Sequence, residues 1–330
     1  MMSLSLLPAL ETKAMNHDKL GLIMTDRKAS MLNFLSGPVL GCIAFLLMAI
    51  NIVFWGLVIV LGALIKLALP FAGVRRLVDP LLISFAEIWI DGNKAWMLLT
   101  QKTEWQVTGI ENLNRRGWYL VNANHQSWVD IFVLQKLFNR KIPFLKFFLK
   151  AELIKVPVMG FAWWALDFPF MKRYSKTYLR KHPEKKGKDI ETTRRVCEKF
   201  SLTPTSVMSF LEGTRFSAEK HDNQRSPHAH LLKPKSGGIA FAMSVLGEKF
   251  HSFLNITIVY PGGVPTFWDF LCGRLHRVVV NVEEIEIPAE ILAGDYETDK
   301  RFRSEFHRWI GSMWEEKDQL IARLLAEPTV

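Results

Sequence analysis

The sequence predicts an α/β domain, with a mixed or mostly parallel sheet flanked by helices, carried behind an N-terminal membrane-anchoring helix or helical hairpin. Three observations carry that expectation. No charged residue occurs from 29 to 65, and Arg27 and Lys28 on one side and Lys66, Arg75 and Arg76 on the other bracket the stretch. Beyond Trp105 the pattern changes to short β-rich runs separated by helical stretches. The 330 residues are 49% apolar with 20 Gly and 15 Pro, enough to bury a large core and too few chain breakers for extensive disorder.

Taken in order, residues 1–30 show no clear periodicity and read as a tail, 31–104 as the anchoring segment and 105–330 as the α/β domain. A helix over 38–65 would measure about 42 Å against a hydrocarbon layer of about 30 Å. It therefore either spans with tilt or pairs with 77–99 as a hairpin entering one leaflet, and the basic residues at both ends assign no orientation. A cleaved signal peptide does not fit, because the run is too long, starts too late and is followed by no small-residue cleavage pattern. Strands are expected at 105–110, 117–121, 205–211, 254–260 and 276–282, where β-branched and aromatic residues concentrate. An apolar helical run covers 131–138. Lys146, Lys150 and Lys155 punctuate the next apolar stretch and suggest a surface helix whose cations reach lipid phosphates. Residues 156–170, with Trp163, Trp164 and Phe168, are expected to line an apolar channel. The charged stretch 174–198 reads as a surface helix broken near His182-Pro183. Phe302, Phe306, Trp309, Ile310, Met313, Trp314, Ile321 and Leu325 form an apolar stripe on one side of a closing helix.

The formal charge of +10 favours a partner bearing phosphate: a nucleic acid, an anionic membrane surface or a phosphorylated substrate. Most of the excess lies between residues 172 and 235, where sixteen Lys and Arg face seven Asp and Glu. The three cysteines, Cys42, Cys197 and Cys272, are too far apart for a disulfide framework or a four-thiolate zinc site, as expected in a reducing compartment. His221, His228 and His230 have no carboxylate or thiol to complete a metal set, so no metal is expected. The chain has no GxGxxG, and Gly187-Lys188-Asp189 lacks the lead and the hydroxyl of a P-loop, which leaves nucleotide hydrolysis and dinucleotide cofactors without support. Ser127 stands outside any Gly-x-Ser-x-Gly elbow and reads as supporting.

The strongest local signal is Asn124-His125-Gln126-Ser127-Trp128-Val129-Asp130, which follows an expected strand and opens a helix. Histidine is the side chain suited to taking a proton from an alcohol near neutral pH, and a carboxylate on its other ring nitrogen fixes the tautomer. Five residues of separation do not align two side chains on a regular helix, so the pair requires a turn from loop into helix. Downstream, Phe210-Leu211-Glu212-Gly213-Thr214-Arg215 also follows a strand-like run. There Gly213 allows close backbone approach, Arg215 offers a fork for phosphate and Glu212 can accept from hydroxyls. Phe168-Pro169-Phe170-Met171-Lys172-Arg173 sets two cations after an apolar strand, and Val259-Tyr260-Pro261-Gly262-Gly263 ends a strand in a sharp turn.

In order and separation, these four blocks resemble the motif blocks of the 1-acylglycerol-3-phosphate acyltransferases, over about 105–265. The longer string ending in Phe216, followed by Lys220-His221, is similar to the lysocardiolipin and lysophospholipid acyltransferase branch. The resemblance implies a membrane enzyme of phospholipid synthesis in which His125 is the base and Asp130 its orienting partner. The acceptor hydroxyl would attack a thioester directly, and Lys172, Arg173, Glu212, Gly213, Thr214 and Arg215 would hold the acceptor, with Asn124, Ser127 and Pro261 in support. It further implies acyl-CoA or acyl carrier protein as donor substrate, no separate cofactor, membrane lipids and a lysophospholipid as partners, no nucleic acid, and, in a bacterium, an inner-membrane location with a cytoplasmic-side site. Leu211, Phe216 and Lys172 depart from residues common at those positions, which bears on the acceptor. The acceptor most expected is 1-acyl-sn-glycerol-3-phosphate, with lysocardiolipin or lysophosphatidylglycerol as alternatives. A non-enzymatic binder of anionic lipid would account for charge and anchor but leave the ordered blocks unexplained.

Overall fold

The computed structural model describes residues 31–32, 34–171, 204–296 and 298–327. Helix α1 (Gly37–Ala68) runs antiparallel to α2 (Ala72–Thr100), and the chain then enters strand β1 (Glu104–Thr108). Next come β2 (Tyr119–Ala123), α3 (Val129–Phe138), β3 (Leu145–Phe147), β4 (Leu149–Lys150), α4 (Met159–Ala165) and β5 (Phe170–Met171). After the undescribed stretch follow β6 (Ser206–Phe210), α5 (Ala218–Gln224), α6 (Gly237–Leu246), β7 (Ser252–Val259) and α7 (Phe267–Leu271). Strand β8 (Arg277–Ile285), α8 (Ala289–Ala293) and α9 (Lys300–Ala326) close the chain.

Six strands form one mixed sheet in the order β1-β8-β7-β2-β6-β3, parallel throughout except for the β7–β8 pair. All five residues of β2 and all eight of β7 are buried, as expected of central strands covered on both faces. Alternation along β2 divides the core. Tyr119, Val121 and Ala123 pack toward α2 and α3, and Leu120 packs toward α6 and α9 on the opposite face.

The five expected strands are all present, with ends displaced by one to three residues. Strands β3, β4 and β5 are additional to them, being two or three residues long, with a lysine in β3 and in β4. The surface helix expected around Lys146, Lys150 and Lys155 is not formed. Residues 145–150 are extended, Ala151–Lys155 make a 3-10 turn, and Lys146 is buried beside β6. Sheet pairing overrides the local pattern there. The expected tail 1–30 and the helix at 174–198 lie outside the described residues.

Helix α1 is long and apolar enough to cross a membrane, and only 22% of its most apolar window is buried. Phe45, Ile50, Phe54, Leu57, Leu61 and Leu64 leave a continuous exposed apolar face, continued by Leu69, Phe71 and Leu77 at the helical turn. A core helix would bury that surface. Here it is the face of a membrane-associated hairpin. The other face is fixed to the protein. Asn51, the only amide in α1, donates to Trp89 O (2.9 Å) and Asn93 Oδ1 (3.0 Å), and Asn93 donates to Gln135 of α3 (3.1 Å). Helix α1 also touches Trp268 and Cys272 near Gly41, Val158 near Gly56, and the carbonyl of Ala165 through Lys66.

Helix α2 is held by charge. Glu87, 2% exposed, takes both carboxylate oxygens to Arg115 Nη2 at 2.7 Å and meets Arg140, which also binds Asp91 at 2.8 Å. Removing the buried acceptor takes the carboxylate partner from Arg115, while Arg140 keeps Asp91. Glu87→Ala is expected to cost about 1–3 kcal/mol in a denaturant titration, and a change under about 0.5 kcal/mol would show that the network does not hold the hairpin.

Candidate active site

Strand β2 stops at Ala123, and the next residue replaces the missing ladder with its side chain. Asn124 Nδ2 donates to Ile258 O and Asn124 Oδ1 accepts from Ile258 N, both at 2.8 Å. This is the carboxyl edge of the parallel strands, where loops carry chemistry in α/β sheets. His125 follows in the loop, and Asp130 sits in the first turn of α3, so the required change from loop to helix is present.

Asp130 is fully buried. Its Oδ2 accepts from His125 Nδ1 (2.8 Å) and from the backbone N–H of Gln126 (2.7 Å) and Ser127 (2.9 Å). Its Oδ1 accepts from the Tyr260 hydroxyl at 2.6 Å. A carboxylate has only acceptors to offer, so His125 carries its proton on Nδ1 and leaves Nε2 free to accept another. The imidazole stacks on Phe210 with centroids 3.9 Å apart and planes at 13°. Burial and the Asp130 charge hold the Tyr260 phenol well above its ordinary range, so it remains a donor.

Segment 212–216 grips the same residue from below. Gly213 takes φ 68°, the left-handed conformation that lets Glu212 turn inward. Glu212 Oε1 accepts from the backbone N–H of His125 (2.7 Å), Oε2 from that of Leu232 (3.1 Å), and Phe216 N–H donates to His125 O (2.7 Å). Lys220 Nζ bonds Thr214 Oγ1 (3.1 Å) and Arg215 O (2.9 Å), tying down the turn. The Arg215 guanidinium lies 4.8 Å from the Trp128 ring centroid.

Both backbone groups of His125 are thereby held, the N–H by Glu212 and the carbonyl by Phe216. His125, Gly213, Thr214 and Arg215 open on a cavity of about 640 Å³ whose other walls are chiefly apolar, including Trp89, Ile131, Phe144, Phe147, Trp163 and Phe168. The channel expected from 156–170 is present through Val156, Trp163 and Phe168, whereas Trp164 is 44% exposed.

The expected site residues fall into three groups. His125 and Asp130 are paired, and Asn124 and Ser127 support their loop, Ser127 Oγ donating to Pro265 O at 2.7 Å. Gly213, Thr214 and Arg215 face the cavity, and partly exposed Pro261 follows Tyr260 at the end of β7. Glu212 corrects the expectation that it accepts from substrate hydroxyls, because it is fully buried with both oxygens taken by backbone N–H groups. Lys172 and Arg173 lie outside the described residues. His221 donates from Nε2 to His228 O at 2.7 Å, and among the described residues no cluster of three His, Cys, Asp or Glu could hold a metal.

Three contributors escape a reading of the sequence. Tyr260 stands out there only for the turn after it, and Phe210 only as strand. Lys317, 1% exposed on α9, interrupts the apolar stripe between Trp314 and Ile321, which is the available signal. Burial raises the Glu212 carboxyl to about 7, against the lowering effect of the two backbone bonds and of Lys317, while burial lowers Lys317 to about 7.

Several known acyltransferases are similar to this chain. The family model described as Acyltransferase matches residues 104–261. The 2-acyl-1-lysophosphatidylinositol acyltransferase of Saccharomyces cerevisiae is 23% identical over 247 residues, 61% of this chain and 60% of the relative. The 1-acyl-sn-glycerol-3-phosphate acyltransferase gamma of Mus musculus is 27% identical over 183 residues, 52% of this chain and 43% of the relative. The chain thus spans about half the length of the curated relatives it matches. The crystal structure of the 1-acyl-sn-glycerophosphate (LPA) acyltransferase PlsC of Thermotoga maritima aligns with TM-score 0.48 and 17% identity, over 88% of this chain and 97% of that one.

Two stability measurements check the site. Tyr260→Phe leaves a buried carboxylate oxygen without its donor and is expected to cost about 1–2 kcal/mol in thermal unfolding, so an unchanged melting curve would remove Tyr260 from the network. Glu212 binds its proton more tightly folded than unfolded, so its contribution to stability is present at low pH and lost as pH rises from about 4.5 to about 7. Glu212→Gln should abolish that component of the pH dependence, and an identical stability–pH curve would refute the assignment.

Proposed function

Residues 104–261 match the acyltransferase family model, and on that premise we propose that this chain transfers a fatty acyl group from a thioester to the free hydroxyl of a lysophospholipid. The observation that carries this reading is the His125–Asp130 pair opening on a largely apolar cavity beside Arg215. The acceptor hydroxyl donates its proton to His125 Nε2 as its oxygen attacks the thioester carbonyl carbon. The tetrahedral intermediate collapses by breaking the carbon–sulfur bond, and the departing thiolate takes the proton back from the imidazolium. Asp130 stabilises that imidazolium and keeps Nδ1 as the donor. No acyl-enzyme is needed.

The cavity supplies both requirements of such a substrate: apolar walls for acyl chains and a cation for phosphate. The favoured acceptor is 1-acyl-sn-glycerol-3-phosphate, giving phosphatidic acid, with Arg215 and, from the sequence, Lys172 and Arg173 as phosphate partners. Acyl-CoA or acyl carrier protein is the donor. The hairpin supports a site that works at the bilayer surface. Between Gly37 and Lys66 about 44 Å of helix axis stays against the α/β domain, longer than the roughly 30 Å of hydrocarbon a spanning segment crosses. We read it as entering one leaflet, the cytoplasmic one of the inner membrane in a bacterium.

Acyl transfer by detergent-solubilised protein, with labelled acyl-CoA or acyl carrier protein and a panel of lysophospholipids, tests the reading. The wild type should form product and His125→Ala about 10³-fold less or none. Arg215→Ala should raise the KM of the phosphate-bearing acceptor about tenfold and leave the donor KM unchanged. Lipid binding without product from any donor and acceptor would favour a non-enzymatic lipid binder.

A further inference from the structure

Helix α9 lies wholly outside residues 104–261, yet buried groups connect it to His125. Trp314 Nε1 donates to the carbonyl of Leu232 at 2.9 Å, Leu232 N–H donates to Glu212 Oε2 at 3.1 Å, and Glu212 Oε1 accepts from His125 N–H at 2.7 Å. Trp314, Leu232 and Glu212 are all 0% exposed, so water cannot replace any of these bonds. Asp318 takes the N–H groups of Ala229 (2.8 Å) and His230 (2.7 Å), so α9 clamps the segment leading to Leu232 at two points. Between these residues, Lys317, 1% exposed, donates to Ile256 O on β7 at 2.6 Å, and its electrostatic influence reaches Glu212 through the core. Leucine or methionine would pack in that stripe without the desolvation cost of an ammonium group, so packing alone does not account for a lysine there.

We propose that Trp314 and Lys317 are positioning residues for the acyl transfer: α9 fixes the Leu232 segment and β7 around Glu212 and so keeps its carboxylate aimed, and Glu212 holds the backbone of His125 in place over the cavity. This rests on the acyl-transfer reading of the site. An ionised carboxylate accepts from both N–H groups at once. A protonated one presents a hydroxyl to one of them and loses that bond. The charges facing Glu212 are Lys317 on α9, which favours the ionised form, and Asp130 on α3, which opposes it. Glu283 on β8 also faces Lys317. Without Lys317, Glu212 takes up its proton at higher pH.

The test uses the full-length protein in detergent, with folding followed by near-UV circular dichroism. Lys317→Met should move the acid limb of the kcat–pH profile upward and lower kcat at neutral pH about tenfold, with both KM values within about twofold. Lys317→Arg, which keeps the charge, should restore the limb. In a Glu212→Gln background Lys317→Met should add nothing, since both act through one carboxylate. Trp314→Phe, which deletes only the N–H and part of the ring, should lower kcat about fivefold without altering KM. A folded Lys317→Met with an unmoved limb, or fully additive effects with Glu212→Gln, overturns the proposal. If Lys317→Met does not fold, Trp314→Phe with unchanged kcat overturns it. A wild type without turnover would sink the acyl-transfer reading instead. The nuclear magnetic resonance signal of an isotope-labelled His125 amide then decides the relay, since it should shift in Trp314→Phe, and an unshifted signal overturns the proposal.

Discussion

The imidazole of His125 is held by a buried carboxylate that accepts four hydrogen bonds. Asp130 draws in the ring of His125, the N–H groups of Gln126 and Ser127, and the hydroxyl of Tyr260 from the end of β7. Burying an anion is costly unless every lone pair is used, and here the donors come from the loop that must be shaped and the strand that must lie beside it. The same interactions that make the carboxylate tolerable fix the tautomer and orientation of the imidazole. Folding of the β2–α3 connection and assembly of the site are one event.

A second carboxylate does for the backbone what Asp130 does for the ring. Glu212 and Phe216 hold the N–H and the carbonyl of His125, so the segment that bears Arg215 is indexed to His125 by direct hydrogen bonds. The arrangement carries a cost in stability, because burial disfavours the charge on Glu212 and on Lys317 alike. Such a cost is characteristic of functional sites, where geometry takes precedence over the most stable core.

The hairpin adds the third requirement, access from a lipid phase. One face of α1 and α2 is interlocked by Asn51, Asn93 and the Glu87 network, and the opposite face of α1 presents large apolar side chains. A rigid attachment keeps the cavity wall contributed by Trp89 and Ile90 of α2 at a constant position relative to the surface that meets lipid.

Much of this was legible in the sequence because it depends on local pattern. The uncharged run, the alternating strands and the spacing of His125 and Asp130 report directly on membrane affinity, sheet and a loop-to-helix turn. Strands β3 to β5 left no such trace, since two or three residues have no measurable period and are defined by the strand they pair with. Glu212 was legible as an important acid but not in its direction, because an acid beside a glycine can face solvent or core, and the left-handed turn at Gly213 points it inward. The partners of Asp130 and Glu212 that lie more than a hundred residues along the chain, Tyr260 and the α9 residue Lys317, are brought there by sheet order and helix packing. Residue type and spacing determine which chemical groups this chain can bring to bear; only the tertiary structure decides which carboxylate orients the His125 imidazole and which one anchors its backbone, because hydrogen bonds form between neighbours in space.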